Sequence, residues 1–323
     1  MEEILRIIVI GLGIQGRKRR EHCGDDFVCY VDPNIKAANY KWLYDVPLDK
    51  YDAACVCVPS DISLCAVSYL VKNKKHVLVE KPLWWPEQKK IKEFQYLATK
   101  NKCVLYTAYN HRFEPALVEA KSLINSGKLG EIYHCRMFYG NGTAKHVKES
   151  PWRDSGIGIF GEIGSHLLDI TQFLFGGYKW FLNANLISSA CFENETPDHI
   201  VFEVNNNKFA VECEATYCSW KNTFTLDVIG LHGSLHVNDF CKWGLSTLEW
   251  RKRIYPSGVP ESKIVSWSQP DPTWDAEYKW FRELCKNSRF FLTRNINDLE
   301  INFAVNSLVE QSKRKQKWRD CYE

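Results

Sequence analysis

The first third of the chain alternates short apolar runs with amphipathic stretches. The predicted strands span residues 5–10, 27–31, 53–58, 76–79 and 104–107, and the predicted helices lie near 15–22, 62–72 and 86–101. Alternating strand and helix units of this kind predict a parallel, doubly wound sheet. A further helix is predicted over 115–125, because Ser126-Gly127 supplies a C-terminal glycine cap.

After residue 130 the apolar runs become longer and alternate with polar positions. The predicted strands are 132–139, 180–189, 199–204, 209–217, 224–229, 235–237 and 247–251, followed by helices near 274–286 and 296–315. This pattern predicts a large, mostly antiparallel open sheet with one face on helices and the other apolar enough to meet a second subunit. The predicted fold is α/β: a doubly wound Rossmann domain over 1–112 and an α+β domain over 113–323.

Length and composition support two cores and a small-molecule partner. A chain of 323 residues with 45% hydrophobic content can bury two domains. With 42 basic and 39 acidic residues, the net charge of +3 gives no reason to expect nucleic acid or a membrane surface as a partner. No apolar run approaches the ~20 residues of a membrane span and the start is acidic, so we expect a cytoplasmic protein.

The thirteen cysteines form no Cys-x-x-Cys motif, and Cys55, Cys57, Cys103 and Cys213 sit within apolar runs. There a thiol behaves as a small hydrophobic group, so reduced core cysteines are expected. A pair of histidines, 232 and 236, flanks a glycine turn without a third ligand, so no metal site is predicted.

A glycine-rich turn follows the first predicted strand and opens the first predicted helix. Gly11-Leu12-Gly13-Ile14-Gln15-Gly16 has the spacing that lets backbone approach a pyrophosphate at a helix N-terminus. Asp32 ends the next strand at the separation expected for a residue that binds the ribose. The expected cofactor contacts are Gly11, Gly13, Ile14, Gln15, Gly16, Asp32, Val58, Pro59, Glu80 and Lys81.

Asp32 favours NAD over NADP, because a carboxylate accepts bonds from ribose hydroxyls and repels a 2′-phosphate. The basic run 17–20 in the first helix leaves NADP open, since one of its cations could reach a phosphate. A charge run is more often a solvated helix face.

Two residues are candidates for proton transfer at a carbinol carbon. Lys81 follows the fourth predicted strand at the edge where ligands of doubly wound folds bind. His166 lies on a predicted helix, on the same face as Glu162 and Asp169. The alternative for this second group is a solvated helix face with an ordinary histidine.

Four motifs taken together resemble the glucose–fructose oxidoreductase, inositol dehydrogenase and rhizopine-catabolism (Gfo/Idh/MocA) family. They are the glycine turn, Glu80-Lys81-Pro82, the segment 109–113 and the segment 164–169. The resemblance implies an NAD(P)-dependent oxidoreductase that acts on a sugar, cyclitol or nucleotide-activated sugar and forms a homodimer or homotetramer through the second sheet. It implies catalytic roles for Lys81, His166 and Glu162, where the family usually has aspartate, and substrate contacts at Asn110, Arg112, Trp152, Arg153, Glu162 and Asp169.

Structural ion pairs are the alternative for Arg112 and Arg153. Two alternative functions also stay open. One is a dinucleotide-sensing regulator without turnover, and the other is a reductase of an aromatic dihydrodiol or a biliverdin-like tetrapyrrole.

Overall fold

The computed structural model describes residues 4–151, 153–176, 183–205, 208–287 and 291–320. Contacts divide the chain into two units: residues 1–110 with 273–302, and residues 111–272 with 303–323. The predicted boundary after residue 112 lies two residues from the point where the first unit ends, at residue 110. The prediction places residues 273–302 in the second domain, whereas the contacts group them with the first unit.

The first unit contains a five-stranded parallel sheet in the order β2-β1-β3-β4-β5. Its strands are β1 (Ile7–Ile10), β2 (Phe27–Val31), β3 (Ala53–Val56), β4 (His76–Glu80) and β5 (Leu105–Ala108). Its helices are α1 (Ile14–Cys23), α2 (Ser60–Lys72), α3 (Gln88–Lys100) and, from the end of the chain, α7 (Thr273–Lys286). The doubly wound parallel sheet is confirmed.

Every residue of β1 is buried because both faces of the sheet are covered. Ile8 and Ile10 join one core cluster, and Ile7 and Val9 join the cluster on the opposite face. The second cluster contains Phe281 of α7. Helical periodicity predicted this helix but did not indicate which sheet it covers. The predicted second domain therefore includes it, whereas its contacts group it with the first unit.

The second unit contains an eight-stranded sheet in the order β13-β12-β11-β10-β6-β9-β8-β7. The strands are β6 (Ile132–Gly140), β7 (Asn183–Ala190), β8 (His199–Asn205), β9 (Ala210–Thr216), β10 (Thr223–Gly230), β11 (Gly233–Asn238), β12 (Ser246–Ile254) and β13 (Gly258–Trp267). The pair β6 and β9 is parallel and the other neighbours are antiparallel. A large, mostly antiparallel sheet is therefore confirmed. The helices α4 (Pro115–Asn125), α5 (Ala144–Lys148) and α6 (Ser165–Phe175) belong to this unit, and α8 (Phe291–Asp320) runs from the first unit into it.

The outward face of the central strands is polar. Asp227 on β10 lies opposite Arg136 on β6 and His236 on β11, and it accepts hydrogen bonds from both. Glu249 on β12 continues the same row. The expectation of an apolar outward face is wrong here, because charged cross-strand pairs occupy these positions.

The sequence pattern missed β13 and α5. Most β13 side chains are exposed, so this strand lacks the alternation that identifies a half-buried strand, and it is held by pairing with β12. The thiols of Cys55, Cys103 and Cys213 are buried and free. Within the described residues, no helix has the length and apolarity to cross a bilayer.

Candidate active site

The glycine turn between β1 and α1 can be built only with glycine at two positions. Gly11 has φ +90°, and a Cβ there would lie 2.5 Å from the carbonyl oxygen of Cys57. A Cβ at Gly16 would overlap the carbonyl of Gly11, whereas nothing lies within 4 Å of a Cβ at Gly13. The turn is thus tightly packed against the sheet at Gly11 and Gly16 and open at Gly13. It lies at the N-terminus of the ten-residue helix α1, whose free N–H groups favour an anion.

Asp32 joins the end of β2 to the glycine turn. One carboxylate oxygen accepts the Leu12 N–H at 2.8 Å, and the other accepts the N–H groups of Asn34 at 2.9 Å and Ile35 at 3.2 Å. A carboxylate has about four acceptor sites, so about one site is left for a ribose hydroxyl. Its negative charge disfavours a 2′-phosphate.

The other predicted cofactor residues of this region surround the same turn. Val58 packs against Gly11: its Cγ1 would lie 2.9 Å from a Cβ built on Gly11. Pro59 directly precedes α2. Ile14 and Gln15 are exposed in the first turn of α1, and 78% of the Ile14 surface is accessible. These residues border the open middle of the turn, where a dinucleotide backbone would fit.

Glu80, the first residue of the Glu-Lys-Pro motif, lies in an ion-pair cluster beneath the turn. The guanidinium of Arg19 donates to Glu80 at 2.7 Å and to Glu277 of α7 at 2.6 Å. Arg19 and Glu277 are fully buried, and Arg19 also stacks over Trp274. The basic run of α1 is therefore not a uniformly solvated face. Burial raises the pKa of Glu277, and the charge of Arg19 opposes that rise.

Lys81 directly follows β4, so it lies at the carboxyl edge of the parallel sheet as predicted. Asn110 follows β5 and is buried, and its side-chain amide donates to Thr273 Oγ1 at 2.7 Å. The contacts of these two residues with cofactor or substrate stay predictions.

His166 lies in the second unit, on a helix with an irregular start. One turn of π-helix over Phe160–Gly164 carries Glu162 and leads directly into α6, where His166 and Asp169 are buried. Such π turns occur often at functional sites because they redirect side chains. The alternative of a solvated face does not hold for His166 and Asp169, since only Glu162 of the three keeps appreciable exposure, at 28%.

Both arginines predicted to bind substrate make ion pairs with acidic residues predicted to do the same. Arg112 Nε donates to both carboxylate oxygens of Asp169 at 2.8 Å, and burial raises the pKa of that carboxyl against the opposing charge of Arg112. Arg153 donates through two nitrogens to Glu162, each at 2.7 Å, and both side chains are partly exposed. Trp152 lies outside the described residues.

Two further side chains are connected to His166 by hydrogen bonds between nitrogen atoms. His111 Nδ1 lies 2.8 Å from His166 Nδ1, and Lys242 Nζ lies 2.8 Å from His111 Nε2. The rings of Tyr139 and Phe240 pack against His111. His111 lies within the 109–113 motif, but the motif does not predict a role for it. Lys242 is separated from His111 by 131 residues, so only the tertiary fold brings the group together.

The fold and the glycine turn define an oxidoreductase class built on an NAD-binding Rossmann domain. Residues 5–109 match the oxidoreductase family with an NAD-binding Rossmann fold, and residues 117–236 match the GFO/IDH/MocA C-terminal domain. The chain belongs to the Gfo/Idh/MocA oxidoreductase family. The resemblance inferred from the four motifs is confirmed.

Similar proteins include enzymes named for cyclitol oxidation. The scyllo-inositol 2-dehydrogenase (NAD(+)) of Bacillus subtilis is 26% identical over 73% of this chain and 75% of its own length. An uncharacterised oxidoreductase of Schizosaccharomyces pombe is 32% identical, but the match spans 45% of this chain and 39% of that protein. A second such oxidoreductase from the same organism is matched over 33% of its length.

A solved structure extends the likeness to the whole fold. The inositol dehydrogenase homologue of Azotobacter vinelandii, complexed with NADH and myo-inositol, aligns with a TM-score of 0.78 at 15% identity over 97% of each chain. At that identity the likeness concerns the fold.

Proposed function

We propose that the protein is an NAD-dependent oxidoreductase that transfers a hydride between nicotinamide and a hydroxyl or keto carbon of a sugar, cyclitol or nucleotide-activated sugar. The observation that carries this proposal is the buried His166, bonded through Nδ1 to a second histidine, on α6, which directly follows the π-helical turn that carries the partly exposed Glu162. An imidazole held in this way can exchange a proton at its other nitrogen.

The residues of the first unit bind and orient the dinucleotide. The N–H groups at the start of α1 would hold the pyrophosphate, and Asp32 would accept a bond from a ribose hydroxyl. When bound, NAD supplies or accepts the hydride at the reacting carbon. Asp32 favours NAD, and NADP is the weaker alternative.

Lys81 and His166 are the residues that we assign to the substrate hydroxyl group and its proton. Hydride transfer from a carbinol carbon releases the hydroxyl proton, and hydride addition to a carbonyl requires one. We assign the exchange of that proton to His166 and the hydrogen bonding of the substrate oxygen to Lys81. Glu162, paired with Arg153 and partly exposed, accepts a bond from a neighbouring hydroxyl.

Two partly exposed polar residues support the proposed substrate class. Arg153 and Glu162 keep accessible donors and acceptors, which suit a molecule with several hydroxyls. Arg112 and Asp169 satisfy each other and support the helix instead. The named activity of the Bacillus subtilis relative supports the same class. Assembly into a dimer or tetramer through the polar sheet face and a cytoplasmic location stay predictions.

The primary test is a screen for reduced nicotinamide by fluorescence. Inositols, anhydrosugars, sialic-acid-like sugars and nucleotide sugars are offered with NAD⁺ and with NADP⁺. We expect at least one polyol to be oxidised with NAD⁺. Turnover of aromatic dihydrodiols or tetrapyrroles alone, or NADH binding without any turnover, would contradict the proposal and favour one of the alternative functions.

Two variants then test the assigned residues. Lys81→Ala should lower kcat about 100-fold or more while NADH binding is kept, because a donor to an oxygen that gains negative charge in the transition state contributes a rate factor of this size. His166→Asn should change the pH–rate profile. Near-normal turnover in the first variant, or an unaltered profile in the second, would remove that residue from the mechanism.

A further inference from the structure

The hydrogen bonds around His111 define where each ring carries its proton. A lysine ammonium has three donors and no acceptor, so Lys242 donates to Nε2 of His111. A neutral His111 then carries its proton on Nδ1 and donates it to Nδ1 of His166. A neutral His166 is thereby left with its proton on Nε2, the nitrogen that faces away from His111.

We propose that Lys242, His111 and His166 form a proton relay whose resting state is loaded for carbonyl reduction. This inference rests on the proposed function, since it supplies the proton for the same substrate oxygen. The sequence motifs identified His166 alone. Lys242 and His111 are thus additional residues of the reaction.

The proton balance of the relay is complete. In reduction, the substrate oxygen takes the proton from His166 Nε2, His166 Nδ1 takes the proton from His111 Nδ1, and His111 Nε2 takes one from Lys242. Both imidazoles change tautomer, and Lys242 becomes a neutral amine. The hydride that reaches the carbon comes from the bound nicotinamide. Oxidation runs the same transfers in reverse and requires the amine form of Lys242 at the outset.

The surroundings of the relay limit access by water at its centre and permit it at its end. His111 is buried between the rings of Tyr139 and Phe240, with its centroid 4.8 Å from that of Phe240. Lys242 is only partly buried, and its ammonium lies over the Trp243 ring. Bulk water can therefore return a proton to Lys242 after each turnover, while the imidazoles are screened from it.

The charged and titratable groups near the relay favour a positive Lys242. The buried carboxyl of Glu114 interacts electrostatically with Lys242 and accepts hydrogen bonds from Cys241. The charge of Asp271 acts on both Glu114 and Cys241. On the other side, the Tyr139 hydroxyl lies near Glu114 and Glu162, and burial, followed by those charges, raises its pKa. Burial raises the pKa of Glu114 and the charge of Lys242 opposes that rise, so an ammonium on Lys242 and an ionised Glu114 favour each other, as the loaded state requires.

The first experiment reads the tautomers directly, without substrate or cofactor. Long-range ¹H–¹⁵N spectra of the histidine-labelled full chain at pH 7, assigned with His111→Gln and His166→Gln, should show the Nδ1–H form of His111 and the Nε2–H form of His166. Lys242→Met should change the ¹⁵N shifts of both rings, and the exposed control Lys148→Met should change neither. The Nδ1–H form of His166 in the unaltered chain would overturn the proposal.

Lys242→Arg separates a relay from a merely positioning contact. Arginine keeps the charge and the donor but does not give up a proton, so the tautomers should stay as in the unaltered chain. With a substrate from the fluorescence screen, kcat should fall about 100-fold in Lys242→Arg and in His111→Gln, with KM within about twofold. Unaltered kcat in a folded Lys242→Arg would exclude the relay.

The two proposals fail in different ways. If no polyol is turned over, the proposed function fails while the tautomer spectra still report the hydrogen-bond chain. If a polyol is turned over and Lys242→Arg is fully active, only the relay fails.

Discussion

The two units use charged residues in opposite ways beside the residues proposed to act in the reaction, Lys81 in the first unit and His166 in the second. In the first unit, Arg19 and Glu277 are buried and form an ion pair, and Arg19 also pairs with Glu80, directly before Lys81. In the second unit, Arg153 and Glu162 keep 23% and 28% exposure and lie on or just before the helix of His166. The buried cluster fixes the end of a strand, whereas the accessible pair can exchange partners with a substrate.

The comparison indicates that an arginine close to a motif does not identify a ligand contact. Burial of the ion pair decides between the two roles, since an unpaired buried charge is costly and an exposed pair contributes little stability. Four substitutions test this distinction, from the largest expected loss to the smallest.

Arg19→Met should produce the largest loss, about 3–5 kcal/mol of unfolding free energy at pH 7, because it leaves two carboxylates without their buried cation. Urea denaturation measures it, and Arg17→Met on the exposed face of the same helix is the control, expected within about 0.5 kcal/mol of the unaltered protein. Part of the loss should be recovered as the pH is lowered, because burial raises the pKa of the Glu277 carboxyl and a protonated carboxyl no longer needs the cation. A loss below about 1 kcal/mol would show that the cluster does not stabilise this unit.

Arg112→Met extends the test to the buried pair of the second unit. Asp169 would be left buried and unpaired, at a cost of about 3 kcal/mol. The double variant with Asp169→Leu should recover most of that cost, because it removes the orphaned carboxylate. Additive losses in the double variant would argue against direct coupling of the two side chains.

Arg153→Gln should cost less than about 1 kcal/mol, since the pair is partly solvated. Its effect should fall on the substrate instead, with KM raised about tenfold, equivalent to about 1.4 kcal/mol, and kcat little changed. A large stability loss with unaltered KM would place this pair with the buried structural ones and break the comparison.

Asp52→Asn gives the smallest expected effect and serves as a reference for an exposed pair in the first unit. The hydrogen bond from Arg6 lowers the pKa of Asp52 below its ordinary 3.8 despite partial burial. The pair therefore contributes stability above the unfolded pKa, and this contribution is lost as the pH falls through the lower folded pKa. Unfolding at pH 7 should show the smallest difference of the four substitutions, and this difference should disappear once the pH falls below the lowered folded pKa of Asp52. A difference that persists in acid would have another origin.

The sequence predicted the local parts of both units because those parts depend on neighbouring residues. The glycine turn and Asp32 are set by spacing within one strand–helix–strand unit, and the structure places them as expected. The position of Lys81 follows from the end of β4 in the same way.

The parts that the sequence did not predict depend on contacts between distant segments. Glu277 meets Arg19 across 258 residues, and Lys242 meets His111 across 131. Neither the hydrophobic periodicity nor the motif spacing predicts contacts between residues so far apart in the chain. A basic run on α1 therefore suggested a solvated face, although the tertiary fold buries one of its members.

The first unit is built from two separated stretches of chain, and this has a consequence for biosynthesis. Tyr278, Phe281 and Leu284 cover one face of a sheet whose last strand ends at Ala108. During translation, α7 leaves the ribosome roughly 10 to 35 seconds after β5, at about 5–20 residues per second. Until then, this face of the sheet is not covered by α7. Throughout this interval the nascent chain carries an open apolar surface, the kind of surface that folding helpers bind.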